Sequence, residues 1–364
     1  AFIFQTVKGF EITGLNDSVV WGAYVVNFTF CMGLGAGVLT FLSITFGNAD
    51  ISPRFKFRLS VTSFVVLALS GLFIMLDLGR IDRFYYMIMY ARPSSPLFWD
   101  FAALNVLIGV SLAFCCVSLR ETMLQSGLKK DAPAAERILY NVMTIGKDFA
   151  FTHIMRRTLV SAAAAVVILM YLLTTEIFAG SAAHPQWHTP MLTLEFFIEA
   201  LIAGIALAAA VGILSAKSMS APCGKAVFGS CQRLLIPLLF LYIAIVFVKS
   251  IPHNAAPFAG ESSFIHPYFL YAILAVFIAV PLTALLIREN FSDKPDLLIP
   301  AAIIGGALII RTDTIISGFF TRWLPYAPDV GYSLTLIEVT LVLGVYCAGA
   351  AGMMVISKVT EGLG

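Results

Sequence analysis

Charge is what this sequence has least of. Asp, Glu, Lys and Arg together make up 12% of 364 residues, against 59% apolar residues, and the mean hydropathy is +0.91. Soluble domains carry about a quarter charged residues, so this composition cannot supply a water-facing exterior and the bilayer is the solvent in which the chain folds. Cysteine chemistry is also missing. The six cysteines (Cys31, Cys115, Cys116, Cys223, Cys231, Cys347) form no C-x-x-C, C-x-x-C-H or ferredoxin-like run, so no iron–sulfur or c-type haem site is expected in this chain. Most read as small apolar packing residues; Cys223 and Cys231 share what reads as one polar loop. Imidazole is scarce too: His153, His184, His188, His253 and His266 all fall in loops or at span ends. A b haem, which needs imidazoles facing each other from within helices, is therefore not expected. Walker and Rossmann glycine fingerprints and zinc-like His/Cys/Asp groupings are absent as well, so no metal site is expected and a soluble-type enzyme has nothing to stand on.

What is present is a succession of runs of about twenty apolar residues, each long enough to cross a hydrocarbon core as a helix. Nine are predicted, near Val19–Phe46, Leu59–Leu78, Phe98–Leu119, Thr158–Phe178, Leu192–Ser215, Leu234–Ser250, Pro267–Ile287, Leu297–Phe319 and Ser333–Ile356. The fold class is an all-α, polytopic integral membrane bundle over residues 1–364, with helices enough for two four-helix groups and an extra one. Residues 80–97 are too short and too flanked by Arg to span, and are predicted to form an interfacial loop or helix. Residues 120–157 form the longest polar segment, predicted to be partly helical. No cleavable signal peptide is in view, and the chain begins with Ala rather than Met, as a processed or incomplete start would.

Most of the 23 Lys and Arg fall on one side if the N-terminus lies outside. The inner loops then carry Arg54, Lys56 and Arg58, the run from Arg120 to Arg157, then Lys217, Lys225, Arg233, Arg288, Lys294 and Lys358. Arg80, Arg83 and Arg92 break the rule by crowding one outer loop, either snorkelling to lipid phosphate or forming a docking surface.

Ionisable groups inside spans are costly and mark sites or paired contacts. In this topology they gather in the outer half: Asp77, Asp100, Glu176, Glu195, Glu199, Arg311, Asp313, Glu338 and Lys249, with Asn27 about two turns into the first span and His253 in an outer loop. All of these acids, with His253 and Arg311, are candidates for proton transfer. Glu195 and Glu199 stand i, i+4 and face the same way, so they either share a proton or pair separately with Lys249, Arg311 or backbone. Asp313 and Arg311, two residues apart, are each expected to find a partner on another helix. His253 suits either proton handling or loop capping. Gly33, Gly35, Gly37, Gly71 and Gly79 are read as close helix packing.

Two segments are familiar. The first runs Trp21-Gly22-Ala23-Tyr24-Val25-Val26-Asn27-Phe28-Thr29-Phe30-Cys31-Met32-Gly33-Leu34-Gly35-Ala36-Gly37. The second is Leu76-Asp77-Leu78-Gly79-Arg80, with Arg83-Phe84 and then Pro93-Ser94-Ser95-Pro96-Leu97-Phe98-Trp99-Asp100. Together they resemble the NrfD-like family of polysulfide-reductase membrane subunits. The specific match covers about the first hundred residues; the rest agrees in helix count and hydropathy. The resemblance implies a membrane subunit without cofactors of its own, which binds a quinone, menaquinone in particular, as substrate. It also implies a ferredoxin-like iron–sulfur partner at the periplasmic face, further catalytic or multihaem cytochrome subunits, and residence in a bacterial or archaeal cytoplasmic membrane. No nucleic-acid partner is expected. Carried over by motif, Asn27 and Asp77 contact the quinone, with Asp77 exchanging its proton, and Arg80, Ser95 and Trp99 belong to the adjoining loop. Cys31 stands where some members have His. Arg80 would orient the carboxylate or stabilise negative charge on the headgroup. The rival readings are an ion-coupled secondary transporter built on the buried carboxylates and Arg311, and a passive anchor for a redox complex.

Overall fold

A computed structural model describes residues 1–127, 134–144, 153–181, 184, 186–215, 219–250, 273–274, 277–278, 280–287, 297–320 and 331–362. A short helix, α1 (Phe2–Lys8), precedes α2 (Ala23–Thr45), α3 (Pro53–Asp77), a single turn α4 (Tyr86–Met89), α5 (Pro96–Ser126), α6 (Ala134–Met143), α7 (His153–Ala179), α8 (Met191–Leu214), α9 (Ala221–Ser250), α10 (Val280–Ile287), α11 (Leu298–Phe320) and α12 (Leu336–Gly362). Eight of these, all but α1, α4, α6 and α10, are long and apolar enough to cross a membrane. In hydrocarbon every backbone amide must be satisfied within its own segment, and helix does this for a sequence with no polar loops to spare. Of the predicted span Pro267–Ile287, residues 273–274, 277–278 and α10 are described, and the others lie outside the described residues.

Local chemistry sets the helix starts. Ser52 caps α3, its hydroxyl accepting from the Phe55 amide, and Pro53 occupies the first turn where an absent N–H does no harm. Ser95 and Pro96 open α5 in the same order, without the side-chain bond. At the end of α3, Gly79 takes φ +62 and turns the chain, with Phe10 lying where a side chain would stand.

Seven spans and the short α10 assemble as two groups of four, with α12 outside them. Helices α2, α3, α5 and α7 pack in sequence and α7 returns to α2; α8, α9, α10 and α11 close a second ring, and α12 lies against α3 and α2. The groups meet through α2 and α8. Gly37 on α2 faces Gly204 on α8, and a Cβ on Gly37 would strike the Ala200 carbonyl, so backbone packs on backbone. Gly35 meets Leu67 of α3, and its carbonyl accepts a 2.9 Å bond from Ser63 Oγ. This makes α2 the enclosed central helix, and polar groups on it are held at the junction of both groups.

Two expectations, the shared loop of Cys223 with Cys231 and the close packing of Gly71 and Gly79, are overturned. Residues 80–97, expected as an interfacial loop or helix, contain a 3-10 turn (Ile81–Arg83) and the single turn α4. Cys223 and Cys231 do not share a loop: α9 starts at Ala221, and both thiols are buried along it. Gly71 has open space beside it, and Gly79 serves a turn rather than a packed interface. The polar stretch 120–157 is helical over most of its described part, since α5 runs on to Ser126, α6 follows, and Arg120 donates to the Met143 carbonyl at 3.2 Å.

Candidate functional site

The residues of the two motifs meet at the end of the bundle where α2 begins and α3 stops. Asn27, near the start of α2, is buried; its Nδ2 donates to the Ala23 carbonyl at 2.8 Å, and its Oδ1 accepts from Tyr346 Oη of α12 at 2.7 Å. Cys31, one turn further, donates its thiol to the same Tyr346 oxygen at 3.5 Å. The order Cys31, Tyr346, Asn27 is thus a short relay with each donor and acceptor assigned. Phe73 of α3 packs its ring on Tyr346, with centroids 5.4 Å apart. One turn beyond Phe73 on the same helix stands Asp77, whose Oδ1 is buried with no hydrogen-bond partner among the described residues.

The segment before α2 closes this seam. Gln5 of α1 is buried and takes a bond from Tyr24 Oη; it also donates at 3.1 Å to the carbonyl of Leu76, the residue before Asp77. Tyr24 lies near enough to Asp77 and Glu338 to feel both charges, and it precedes Asn27 by three residues, on the same face of α2. Asn27, Tyr24, Asp77 and Tyr346 therefore lie along one polar seam where α2, α3 and α12 meet.

Glu338 has a different setting. Its Oε2 accepts from the Thr335 amide and hydroxyl, both 2.9 Å, and from the Gly14 amide at 3.0 Å; its Oε1 accepts from Tyr332 Oη at 2.9 Å. Thr335 answers by accepting from the Glu338 amide at 3.4 Å, which makes a capping box at the start of α12. Burial, and then the Glu338 charge, push the Tyr332 phenol above its ordinary value, so it stays protonated and donates. Its oxygen also accepts from the Ala23 amide at 2.9 Å, fastening the start of α2 to that of α12.

The other candidates lie apart from this seam. Asp100 on α5 is buried and accepts from the Thr174 hydroxyl of α7, which also sits 3.4 Å from Met32 Sδ on α2. Glu199 and Arg311 form a buried pair between α8 and α11, Nη2 to Oε2 at 3.1 Å, with Nε to Oε1 at 3.3 Å. Arg311 lies over the Phe196 ring and donates to its carbonyl. Of the two settings open to Glu199, the structure has the pair with Arg311. Glu195 is buried one turn earlier on α8; Asp313 accepts from Ser317 Oγ of its own helix at 2.8 Å. Glu176 is exposed on α7. His253 lies outside the described residues, as does the Lys249 side chain. His184 and His188 donate Nδ1–H to the Gly318 and Ala179 carbonyls.

Arg80 is exposed and makes no ion pair with Asp77. It stands with Arg83, Arg92, Tyr85, Ile88, Met89 and Tyr90 on an open surface, Arg83 stacked over Tyr86. Trp99 is half exposed at its edge, its indole N–H donating to the Pro93 carbonyl at 2.8 Å, and Ser95 caps α5. The motifs therefore divide between a buried seam holding Asn27, Cys31 and Asp77, and a surface holding Arg80, Ser95 and Trp99.

Sequence reasoning missed Gln5, Tyr24 and Tyr346. The available signal was a tyrosine inside an apolar span, whose hydroxyl must find a partner there, but several spans carry such tyrosines and none of them announces its neighbour.

Bundle and seam together define a polytopic helical membrane protein with a buried polar seam at one end. The family model described as polysulphide reductase, NrfD, matches residues 11–321, and the chain belongs to that family. It is also similar to a putative dimethyl sulfoxide reductase membrane subunit of Halobacterium salinarum, at 24% identity over 97% of this chain and 86% of the relative. A second relative, a selenate reductase subunit of Mesobacillus selenatarsenatis, is 24% identical over 55% of this chain and 49% of its own length. Tyr346 lies beyond the residues matched by the family model, on the helix that completes the seam.

Proposed function

We propose that the chain is the quinone- or quinol-reactive membrane subunit of a multi-subunit respiratory reductase in a bacterial or archaeal cytoplasmic membrane. Both relatives are named as subunits of reductases, which supports a membrane role within such a complex. The observation that carries the quinone reading is the buried, unpartnered Oδ1 of Asp77 beside the Asn27–Tyr346 relay. A buried carboxylate oxygen left without a partner is expensive, and a quinol hydroxyl supplies the missing donor. Asn27 keeps one amide hydrogen beyond its bond to Ala23, so the seam offers a donor and an acceptor to a headgroup whose two oxygens need both. A quinone, menaquinone in particular, supplies two-electron, two-proton chemistry when bound. Asp77 takes or gives the proton at Oδ1, Asn27 orients the ring oxygen, and Tyr346 fixes the amide's rotamer. The electrons pass to or from an iron–sulfur subunit seated on the Arg80, Arg83 and Arg92 surface, and further catalytic or multihaem cytochrome partners make up the rest of the complex. Asp100, Glu176, Glu195, Glu199, His253, Arg311, Asp313 and Glu338 remain the pool from which a proton route beyond Asp77 would be drawn.

The test is Asp77→Asn in the intact complex. Quinone-linked turnover is expected to fall by about 100-fold or more, the scale of a lost acid–base group, while the partner proteins, iron and quinone co-purify in unchanged ratio. Undiminished turnover would leave the chain as a passive anchor. Isolation of the chain alone, without iron or quinone, would favour a transporter.

A further inference from the structure

Where the two helix groups meet, three buried polar atoms have no hydrogen-bond partner among the described residues: the hydroxyls of Tyr171 on α7 and Tyr242 on α9, and Nη1 of Arg311 on α11. Their residues are 1%, 0% and 1% exposed. Nor are they scattered. Tyr171 and Tyr242 both lie within electrostatic reach of Arg311 and Glu199, and Tyr242 also of Glu195. Each comes from a different helix, and the two phenols gather around the buried Arg311–Glu199 pair. A buried donor without an acceptor costs about 1–3 kcal/mol.

We propose that this junction is an internal water site, in which one or more water molecules accept from Tyr171 Oη, Tyr242 Oη and Arg311 Nη1 and so hydrate the Arg311–Glu199 pair. Water fits the chemistry better than an anion. Glu199 already pairs with the Arg311 guanidinium and Glu195 stands near Tyr242, so a further negative charge would be repelled, whereas water accepts from donors and donates to carboxylates at once. Hydration also explains why a charge pair persists inside the membrane, because a dry pair would bear most of its desolvation penalty. A Cβ built on Gly33 would come within 3.1 Å of Tyr171 Oη, so the site abuts α2. Gly33 lies six residues past Asn27, roughly 9 Å deeper along the helix axis. The glycine leaves room for the hydroxyl to reach the junction.

The water site stands independently of the quinone reading. It is tested by X-ray hydroxyl-radical footprinting of the intact complex, in which radicals made from bound water oxidise the side chains that water touches. Tyr171 and Tyr242 are expected to be modified several-fold faster, after correction for intrinsic reactivity, than Phe41 and Phe73, which are equally buried. Rates no higher than those phenylalanines would overturn the proposal. In the double variant Glu199→Met, Arg311→Met, Tyr171 labelling is expected to drop to the phenylalanine level, and undiminished labelling would overturn the role of the pair. If that variant does not assemble, the wild-type rates decide alone. No arm uses quinone turnover, so failure here leaves the Asp77 experiment untouched.

Discussion

Tyr346 does two jobs with one oxygen: it donates to Asn27 Oδ1 at 2.7 Å and accepts from Cys31 Sγ at 3.5 Å. Removing that oxygen while keeping the ring on Phe73 isolates its contribution. Tyr346→Phe is expected to raise the KM for quinol by about 5- to 10-fold, the size of one lost neutral hydrogen bond, with a smaller change in kcat because Asp77 is untouched. A fall in kcat alone would show that Tyr346 acts on the chemistry rather than on the amide. Asn27 and Asp77 were legible in the sequence because polar residues inside apolar runs stand out by cost. Tyr346 was not, since its role depends on α12 packing beside α2, and no local pattern links positions 319 residues apart. The partner of Glu199 was foreseeable only as a choice among Glu195, Lys249 and Arg311, which geometry resolves in favour of Arg311.

At the scale of the helix, glycine tells apart two situations that look alike in sequence. A Cβ at Gly37 meets the backbone of Ala200 and Gly204, whereas one at Gly71 meets nothing within 4 Å. Gly37→Ala is expected to destabilise the purified protein by about 1–3 kcal/mol through overpacking. Gly71→Ala is expected to be neutral or to stabilise by up to about 1 kcal/mol, the helix-propensity gain. Thermal unfolding of both variants in the same detergent checks the pair, and equal shifts would mean that α2 and α8 do not touch backbone to backbone. Glu338 offers a second test at this scale. Four donors converge on its carboxylate, so Glu338→Ala strips the cap of α12 and the tie to Gly14. Stability is expected to drop by about 2 kcal/mol or more, while turnover per assembled complex stays near the wild type. Lost turnover with stability retained would instead make Glu338 a proton carrier.

The whole molecule separates its chemistry by position: the polar seam lies under one end of the bundle, and the cationic, aromatic surface lies over that same end. The existence and order of eight of the nine expected spans followed from hydropathy alone, because crossing hydrocarbon leaves the chain little choice. Which spans are neighbours did not follow, since apolar helices are alike to one another and the pairing is marked by contacts such as Gly37 with Gly204 and Glu199 with Arg311 that no local pattern announces. The surface of Arg80, Arg83 and Arg92 was visible as a breach of the charge rule, and the structure leaves these side chains exposed beside Tyr85, Ile88, Met89 and Tyr90. Lipid snorkelling and protein docking differ in their response to salt. If the arginines hold an iron–sulfur subunit, Arg83→Glu with Arg92→Glu should reduce its co-purification several-fold at low ionic strength. Co-purification with the wild type should itself fall as salt rises and screening shortens to below about 10 Å. If the arginines serve lipid phosphate alone, the partner stays bound in both proteins at every salt concentration, and the docking surface must be sought elsewhere on the same end.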